Sequence, residues 1–203
     1  MRFWINLLGY QAARFVAVGF AARGLAWPGI VACLGFAALT WWQSPRRRSD
    51  LRLVAAALAC GLLLDGALAA TGWLAYAAPL PALPAPAWIV ALWAAFAMTL
   101  QHSMQWLLAR PLAAVLFGAM GGPLAYSGAA RGCDAVVFNM PLQATLRLGF
   151  GWGFAMWLLV AIARVDPATT LVQREVSARI RGSNSCWCGW SSGGGCSARS
   201  RAG

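Results

Sequence analysis

The feature that most constrains this chain is a series of long apolar runs separated by short polar or proline-containing breaks. An α-helix needs about 20 apolar residues to cross the hydrocarbon core of a bilayer, and about six runs approach that length. They cover residues 4–22, 25–42, 53–77, 87–108, 112–130 and 142–163. The sequence therefore predicts an all-α fold, a polytopic transmembrane helix bundle of about six spans.

The composition excludes a soluble domain and indicates the bilayer as partner. Hydrophobic residues make up 61% of the chain and charged residues only 10%, whereas soluble domains are about half apolar and a quarter charged. The net charge of +11 comes entirely from arginine. These arginines punctuate apolar runs and form no basic stripe, so we expect no nucleic-acid partner.

The arginines also predict the orientation of the spans, because cytoplasmic loops of membrane proteins are enriched in basic residues. One loop holds Arg46, Arg47, Arg48 and Arg52, and alternate connections place further arginines on the same side of the membrane. These are Arg2, Arg110 and Arg164, against Arg23 and Arg131 on the other side. We therefore expect a multi-pass protein with both termini in the cytoplasm.

The chain changes character after the last apolar run. We predict a transmembrane helical domain over residues 1–166 and a disordered cytoplasmic tail over 167–203, where Gly, Ser, Cys and Arg replace any apolar period. The tail cysteines Cys186, Cys188 and Cys196 do not have the spacing of a zinc site, and the only histidine lies elsewhere. We assign no metal and no cofactor.

Polar residues within the apolar runs are the strongest functional candidates, because they are unfavourable in hydrocarbon and usually face protein or water. Asp65 in the third run is either a proton relay or substrate contact, or a structural carboxyl bonded to another helix. His102 in the fourth run, near Thr99 and Ser103, is either an interhelical hydrogen-bonding residue or a group that transfers protons or binds a headgroup.

The first run carries a polar stripe. Asn6, Tyr10 and Arg14 are four residues apart and share a helix face, with Gln11 beside them. Arg14 either pairs with Asp65 or extends its guanidinium to an interface. The complete candidate intramembrane polar site is Asn6, Tyr10, Gln11, Arg14, Asp65, Thr99, His102, Ser103 and Tyr126.

The fifth run combines small residues with a proline. Gly118, Gly121 and Gly122 allow close helix approach, and Pro123 either breaks the helix at a transport site or only bends it. Signatures of soluble enzymes are lacking, and five acidic residues in total exclude a two-metal centre. We assign no catalytic residues.

Several of these segments resemble one bacterial membrane family, the domain of unknown function 2878 family. The resemblance lies in residues 6–11, the Ser-Pro-Arg-Arg-Arg loop, Asp65, the segment between Trp93 and Trp106, and residues 121–126. It implies a small protein of the cell inner membrane without an established activity, with a link to lipid metabolism.

Three hypotheses on function remain open. In the first, the chain is a non-enzymatic accessory component of a lipid-related membrane process and binds a lipid or a lipid-enzyme partner. In the second, it is a small transporter that uses Asp65, His102 and Arg14. In the third, it is an intramembrane enzyme that acts on a lipid with His102 and Asp65 as acid and base. We favour the accessory role.

Overall fold

The computed structural model describes residues 2–79 and 83–165, without the side chain of Arg2. Within these ranges the chain forms seven helices and two short strands. The elements are α1 (Arg2–Ala21), α2 (Trp27–Trp42), α3 (Arg47–Ala70), β1 (Leu74–Tyr76), α4 (Ala87–His102), α5 (Gln105–Ala109), α6 (Pro111–Cys133), β2 (Val136–Phe138) and α7 (Pro141–Val165). The prediction of an all-α helical bundle is confirmed. The predicted tail over 167–203 lies outside the described residues.

Three of the described helices are long and apolar enough to cross a membrane, namely α3, α6 and α7. The apolar helices α2 and α4 have 16 residues each, which is about 24 Å of rise. α1 has 20 residues and includes the polar side chains of Asn6, Gln11 and Arg14.

Several predicted boundaries were wrong. α3 begins at Arg47 and ends at Ala70, whereas the apolar run extends from residue 53 to 77. Long arginine side chains reach water from a helical backbone, so the basic segment joins the helix. Gly72, with a φ of 69°, turns the chain away in the left-handed conformation that favours glycine, and residues 74–76 become β1.

Two further boundaries also differ from the prediction. The fourth run, predicted over 87–108, divides into α4 and α5 at Ser103 and Met104. The segment Arg131–Cys133, which lies beyond the run predicted over 112–130, belongs to α6, and Asp134 ends this helix with a φ of 54°. Asp tolerates that left-handed conformation better than most residues.

The helices pack as interlocking pairs, with α6 along α7, α3 along α4, and α1 and α2 together against α4. Gly118 and Gly122 bring α6 close to α7, because a Cβ atom at Gly122 would lie 2.4 Å from the Trp152 ring. Pro123 lies inside α6 without ending it. Because proline has no amide hydrogen, the Ala119 carbonyl lacks its usual helical hydrogen bond from residue 123. Gly149 of α7 lies close to this carbonyl oxygen.

The strands β1 and β2 pair in an antiparallel ladder that the sequence did not predict. Leu74 lies opposite Phe138 and Tyr76 opposite Val136. Since β1 follows α3 and β2 follows α6, the C-terminal ends of both helices lie at the same end of the bundle, called here the strand end. The other end carries Arg46, Arg47 and Arg48 and is called the arginine end.

Candidate functional site

Asp65 is fully buried and accepts three side-chain hydrogen bonds. Tyr76 donates its hydroxyl to Oδ1 at 2.9 Å, and Tyr126 donates to the same oxygen at 2.5 Å. Trp93 donates its indole Nε1–H to Oδ2 at 2.8 Å. Hydrogen bonds to an ionised acceptor are about twice as strong as neutral ones, so these donors make a buried carboxylate tolerable.

This Asp65 cluster (Asp65, Tyr76, Trp93 and Tyr126) joins α3, β1, α4 and α6 at one carboxyl group. Burial, and then the negative charge of Asp65, raise the pKa of Tyr76 well above its usual range. The hydroxyl therefore stays protonated and remains a donor. The arrangement matches the structural interpretation of Asp65 as a carboxyl bonded to other helices.

The suggested ion pair between Arg14 and Asp65 is not formed, since among the described residues the only acidic and basic side chains within 4.0 Å of each other are Asp50 and His102. Arg14 instead lines a cavity whose wall includes two of the Asp65 donors, Trp93 and Tyr126. We call this space, of about 70 Å³, the aromatic cavity. It is lined by Tyr10, Arg14, Val18, Trp88, Ile89, Leu92, Trp93, Phe96, Ala125, Tyr126, Ala129, Val136 and Trp152.

Stacked aromatic rings form part of the wall of the aromatic cavity. The indoles of Trp93 and Trp152 are nearly parallel, with centroids 4.1 Å apart, and Phe96 meets both edge-on. Trp93 therefore has two roles: its ring lines the cavity, and its indole N–H donates a hydrogen bond to Asp65. Such offset and edge-to-face ring contacts fix side-chain orientation, so the cavity has a rigid wall.

Two buried N–H groups in this wall make no hydrogen bond in the described structure. The Nε atom of Arg14 and the Nε1 atom of Trp152 are buried and make no hydrogen bond within the described part of the chain. Buried polar groups are nearly always hydrogen-bonded in proteins, and an exception calls for an explanation. Both exceptions belong to side chains that line the same cavity.

A second polar cluster lies at the arginine end. Asp50 of α3 is fully buried, and its Oδ2 lies 3.4 Å from Nε2 of His102, whose side chain is 21% exposed. Gln101 donates to Ser49 Oγ at 3.0 Å, while its Oε1 and both oxygens of Asp50 lack hydrogen bonds among the described residues. We call Ser49, Asp50, Gln101 and His102 the Asp50 cluster.

Sequence reasoning placed Asp50 in a loop and missed it. Once α3 is extended to Arg47, the residues Asp50, Leu53, Ala57, Gly61 and Asp65 recur at helical spacing on one buried face. That spacing was the available signal. It separates the two carboxylates by 15 residues, or about 22 Å along the helix axis.

The predicted polar residues thus divide between the two ends of the bundle. Asn6 and Ser103 are joined at the arginine end, where the Ser103 hydroxyl donates to Asn6 Oδ1 at 2.6 Å, and Thr99 bonds back to the Ala95 carbonyl. Tyr10, Arg14 and Tyr126 meet at the aromatic cavity, while Gln11 is exposed. Sequence reasoning did not assign Tyr76, Trp93 or Trp152 to a site.

Comparisons with known proteins place the chain in a family. Neither the comparison with curated proteins nor that with solved structures found a match. The profile of one family, described as protein of unknown function (DUF2878), matches residues 3–158. Because this match covers well over half of the sequence, the chain belongs to the DUF2878 family.

Proposed function

We propose that this protein is a multi-pass protein of the bacterial inner membrane, with both termini in the cytoplasm, and that it binds a lipid, part of which occupies the aromatic cavity. Its role is that of a non-enzymatic accessory component in a lipid-related membrane process. The bound lipid, or a lipid enzyme that receives it, is the partner.

The distribution of arginine supports the orientation. Arg46, Arg47, Arg48 and Arg52 lie at the arginine end, together with Arg110 and Arg164 near helix termini. The strand end carries Arg23 and Arg131, and also Arg147, which stacks on the Trp73 ring with its guanidinium carbon 3.4 Å from the centroid. The excess at the arginine end favours placing that end in the cytoplasm.

The single observation that carries the lipid-binding proposal is the chemistry of the aromatic cavity. Its wall consists of rings and aliphatic side chains contributed by α1, α4, α6, α7 and β2, with one cation, Arg14. Ligand sites are typically concave and mostly apolar with a few placed polar groups. In a helix bundle surrounded by acyl chains, a lipid is the apolar ligand present at the highest concentration.

The positions of Asp65 and His102 explain why we place binding before transport or catalysis. Asp65 accepts hydrogen bonds from three donors. His102 instead contacts Asp50, which lies about 22 Å from Asp65 along the axis of α3. A reaction that uses both as one acid–base pair needs them within hydrogen-bond reach or one water apart. Transport and catalysis stay predictions, to be tested by flux and by turnover of purified protein.

The test fills the cavity and measures retained lipid. Ala125 lines the aromatic cavity, whereas the neighbouring Leu124 is 68% exposed. The full chain and the variants Ala125→Phe and Leu124→Phe are purified in mild detergent and analysed by native mass spectrometry. We expect lipid adducts on the wild type and on Leu124→Phe, and their loss from Ala125→Phe.

Equal adducts on all three proteins, with equal thermal stability, would contradict lipid binding in this cavity. A deletion strain provides the cellular counterpart. We expect the whole-cell lipid profile of this strain to differ from that of the parent strain. Re-expression of the wild-type protein should restore the parental profile, whereas re-expression of Ala125→Phe should not.

A further inference from the structure

We infer that the lipid bound in the aromatic cavity is an anionic amphiphile whose headgroup, a carboxylate or a phosphate, is held by Arg14 and Trp152. This inference rests on the proposed function and names the ligand class of the same site.

The buried hydrogen-bonding groups left unused in the cavity wall are both N–H donors. Arg14 Nε and Trp152 Nε1 are donors only, and neither makes a hydrogen bond among the described residues. A ligand that satisfies both must supply acceptor oxygens. A carboxylate or a phosphate supplies several, and it also carries the charge opposite to that of the guanidinium.

No carboxylate among the described residues pairs with Arg14. Asp65, which does not itself line the cavity, already accepts hydrogen bonds from Tyr76, Trp93 and Tyr126. The remaining indole in the wall, Trp88, donates to the Ala77 carbonyl at 3.0 Å. The positive charge of Arg14 thus has no counter-charge within 4.0 Å in the described structure.

Arg14 lies well inside α1, away from both ends of the helix. It lies seven residues before the helix ends at Ala21, which is about 10 Å below the strand end by helix rise. Val18 and Leu92 flank it with aliphatic surface. A cavity of about 70 Å³ has room for a headgroup only, so the acyl chain of the ligand lies outside it against the apolar surface of the bundle, where burial of methylene groups stabilises the complex.

The test compares anionic with uncharged amphiphiles of the same chain. The full-length protein in nanodiscs of phosphatidylcholine is titrated with oleate, with dioleoylphosphatidate, and with oleyl alcohol and dioleoylglycerol as their uncharged counterparts. Bound amphiphile is counted by native mass spectrometry. We expect at least one anion to bind about tenfold or more tightly than its uncharged counterpart, and the tighter anion identifies the headgroup.

Substitutions assign that selectivity to residues. Arg14→Gln removes the charge and is expected to reduce the affinity for the anion about tenfold while leaving the uncharged counterpart unchanged. Arg14→Lys keeps the charge and is expected to retain part of the selectivity. Arg147→Gln is the matched control, because Arg147 stacks on Trp73 and bonds to Gln143 away from the cavity.

Three outcomes separate this inference from the proposed function. Equal affinity for anionic and uncharged amphiphiles, both lost in Ala125→Phe, would overturn the anionic headgroup and leave lipid binding standing. Selectivity that survives Arg14→Gln would also overturn the inference. Absence of saturable binding of any amphiphile would instead overturn the proposed function itself.

Discussion

At the scale of single residues, Asp65 is the side chain whose substitution has the clearest expected result. Its two oxygens accept three hydrogen bonds in a site without solvent exposure. Asp65→Asn keeps the shape but replaces one acceptor oxygen by a donor NH₂ group, so at least one donor loses its partner. We expect a loss of about 1–3 kcal/mol in the free energy of unfolding, measured by thermal unfolding in detergent.

The control for this substitution is Asp134→Asn, which makes the same chemical change at an exposed residue. It should alter stability by no more than about 0.5 kcal/mol. If both variants unfolded at the wild-type temperature, the Asp65 cluster would not stabilise the bundle.

Tyr76 leads to a prediction about alkaline pH. Burial and the Asp65 charge raise the pKa of Tyr76 in the folded protein, whereas tyrosine in an unfolded chain ionises near pH 10. A raised folded pKa contributes stability that is fully present below the unfolded pKa and is lost as pH rises toward the folded value. We therefore expect stability to decline above about pH 10.

Tyr76→Phe removes this ionisation together with one hydrogen bond to Asp65. The variant should be less stable at pH 8, and its stability should fall less steeply between pH 9 and pH 11 than that of the wild type. Melting temperatures across this range in detergent provide the measurement. Parallel pH profiles for the two proteins would contradict the role given to Tyr76.

At the scale of elements, the sequence predicted helices well and their ends less well. Apolar runs identify what must avoid water, so each predicted span has a helix at its centre. They do not identify where a helix stops, since Arg47 remains helical beyond the apolar run and Leu74 leaves the helix within it. Whether Leu74 pairs with Phe138 is a tertiary property, and no local pattern encodes it.

Helix packing gives the third prediction. A Cβ atom at Gly118 would lie 2.6 Å from the backbone oxygen of Trp152, whereas at Gly128 nothing lies within 4 Å. Gly118→Ala must therefore separate α6 from α7, with an expected loss of about 1–3 kcal/mol. Gly128→Ala should be neutral or slightly stabilising, because alanine favours the helix by up to about 1 kcal/mol.

The measurement is thermal unfolding of both glycine variants in the same detergent. Cross-linking between cysteines introduced on α6 and α7 would report any separation of the helices directly. Equal stability of Gly118→Ala and Gly128→Ala would mean that the close approach at Trp152 is not required.

At the scale of the whole molecule, the sequence identified the polar residues but not their partners. Asp65 and His102 were expected to be candidates for one site because each is a polar residue in an apolar run. Their actual partners, Tyr76 and Asp50, lie in segments that the sequence assigned to a span end and a loop. A polar group in lipid takes whichever donor or acceptor the packing brings to it, and that choice depends on the whole bundle.

Orientation in the membrane is the last prediction, and Cys133 provides a natural probe. This cysteine ends α6 at the strand end and is exposed, whereas Cys33 is buried and Cys60 is partly buried. If the arginine end is cytoplasmic, a membrane-impermeant maleimide added to spheroplasts labels Cys133, and Cys133→Ser abolishes the labelling. The tail cysteines Cys186, Cys188 and Cys196 should react only after the membrane is permeabilised, since the proposed orientation places them inside. Labelling that persists in intact Cys133→Ser spheroplasts would mean that the tail is outside, and the positive charge of the loop at Arg46–Arg48 would then not determine the topology.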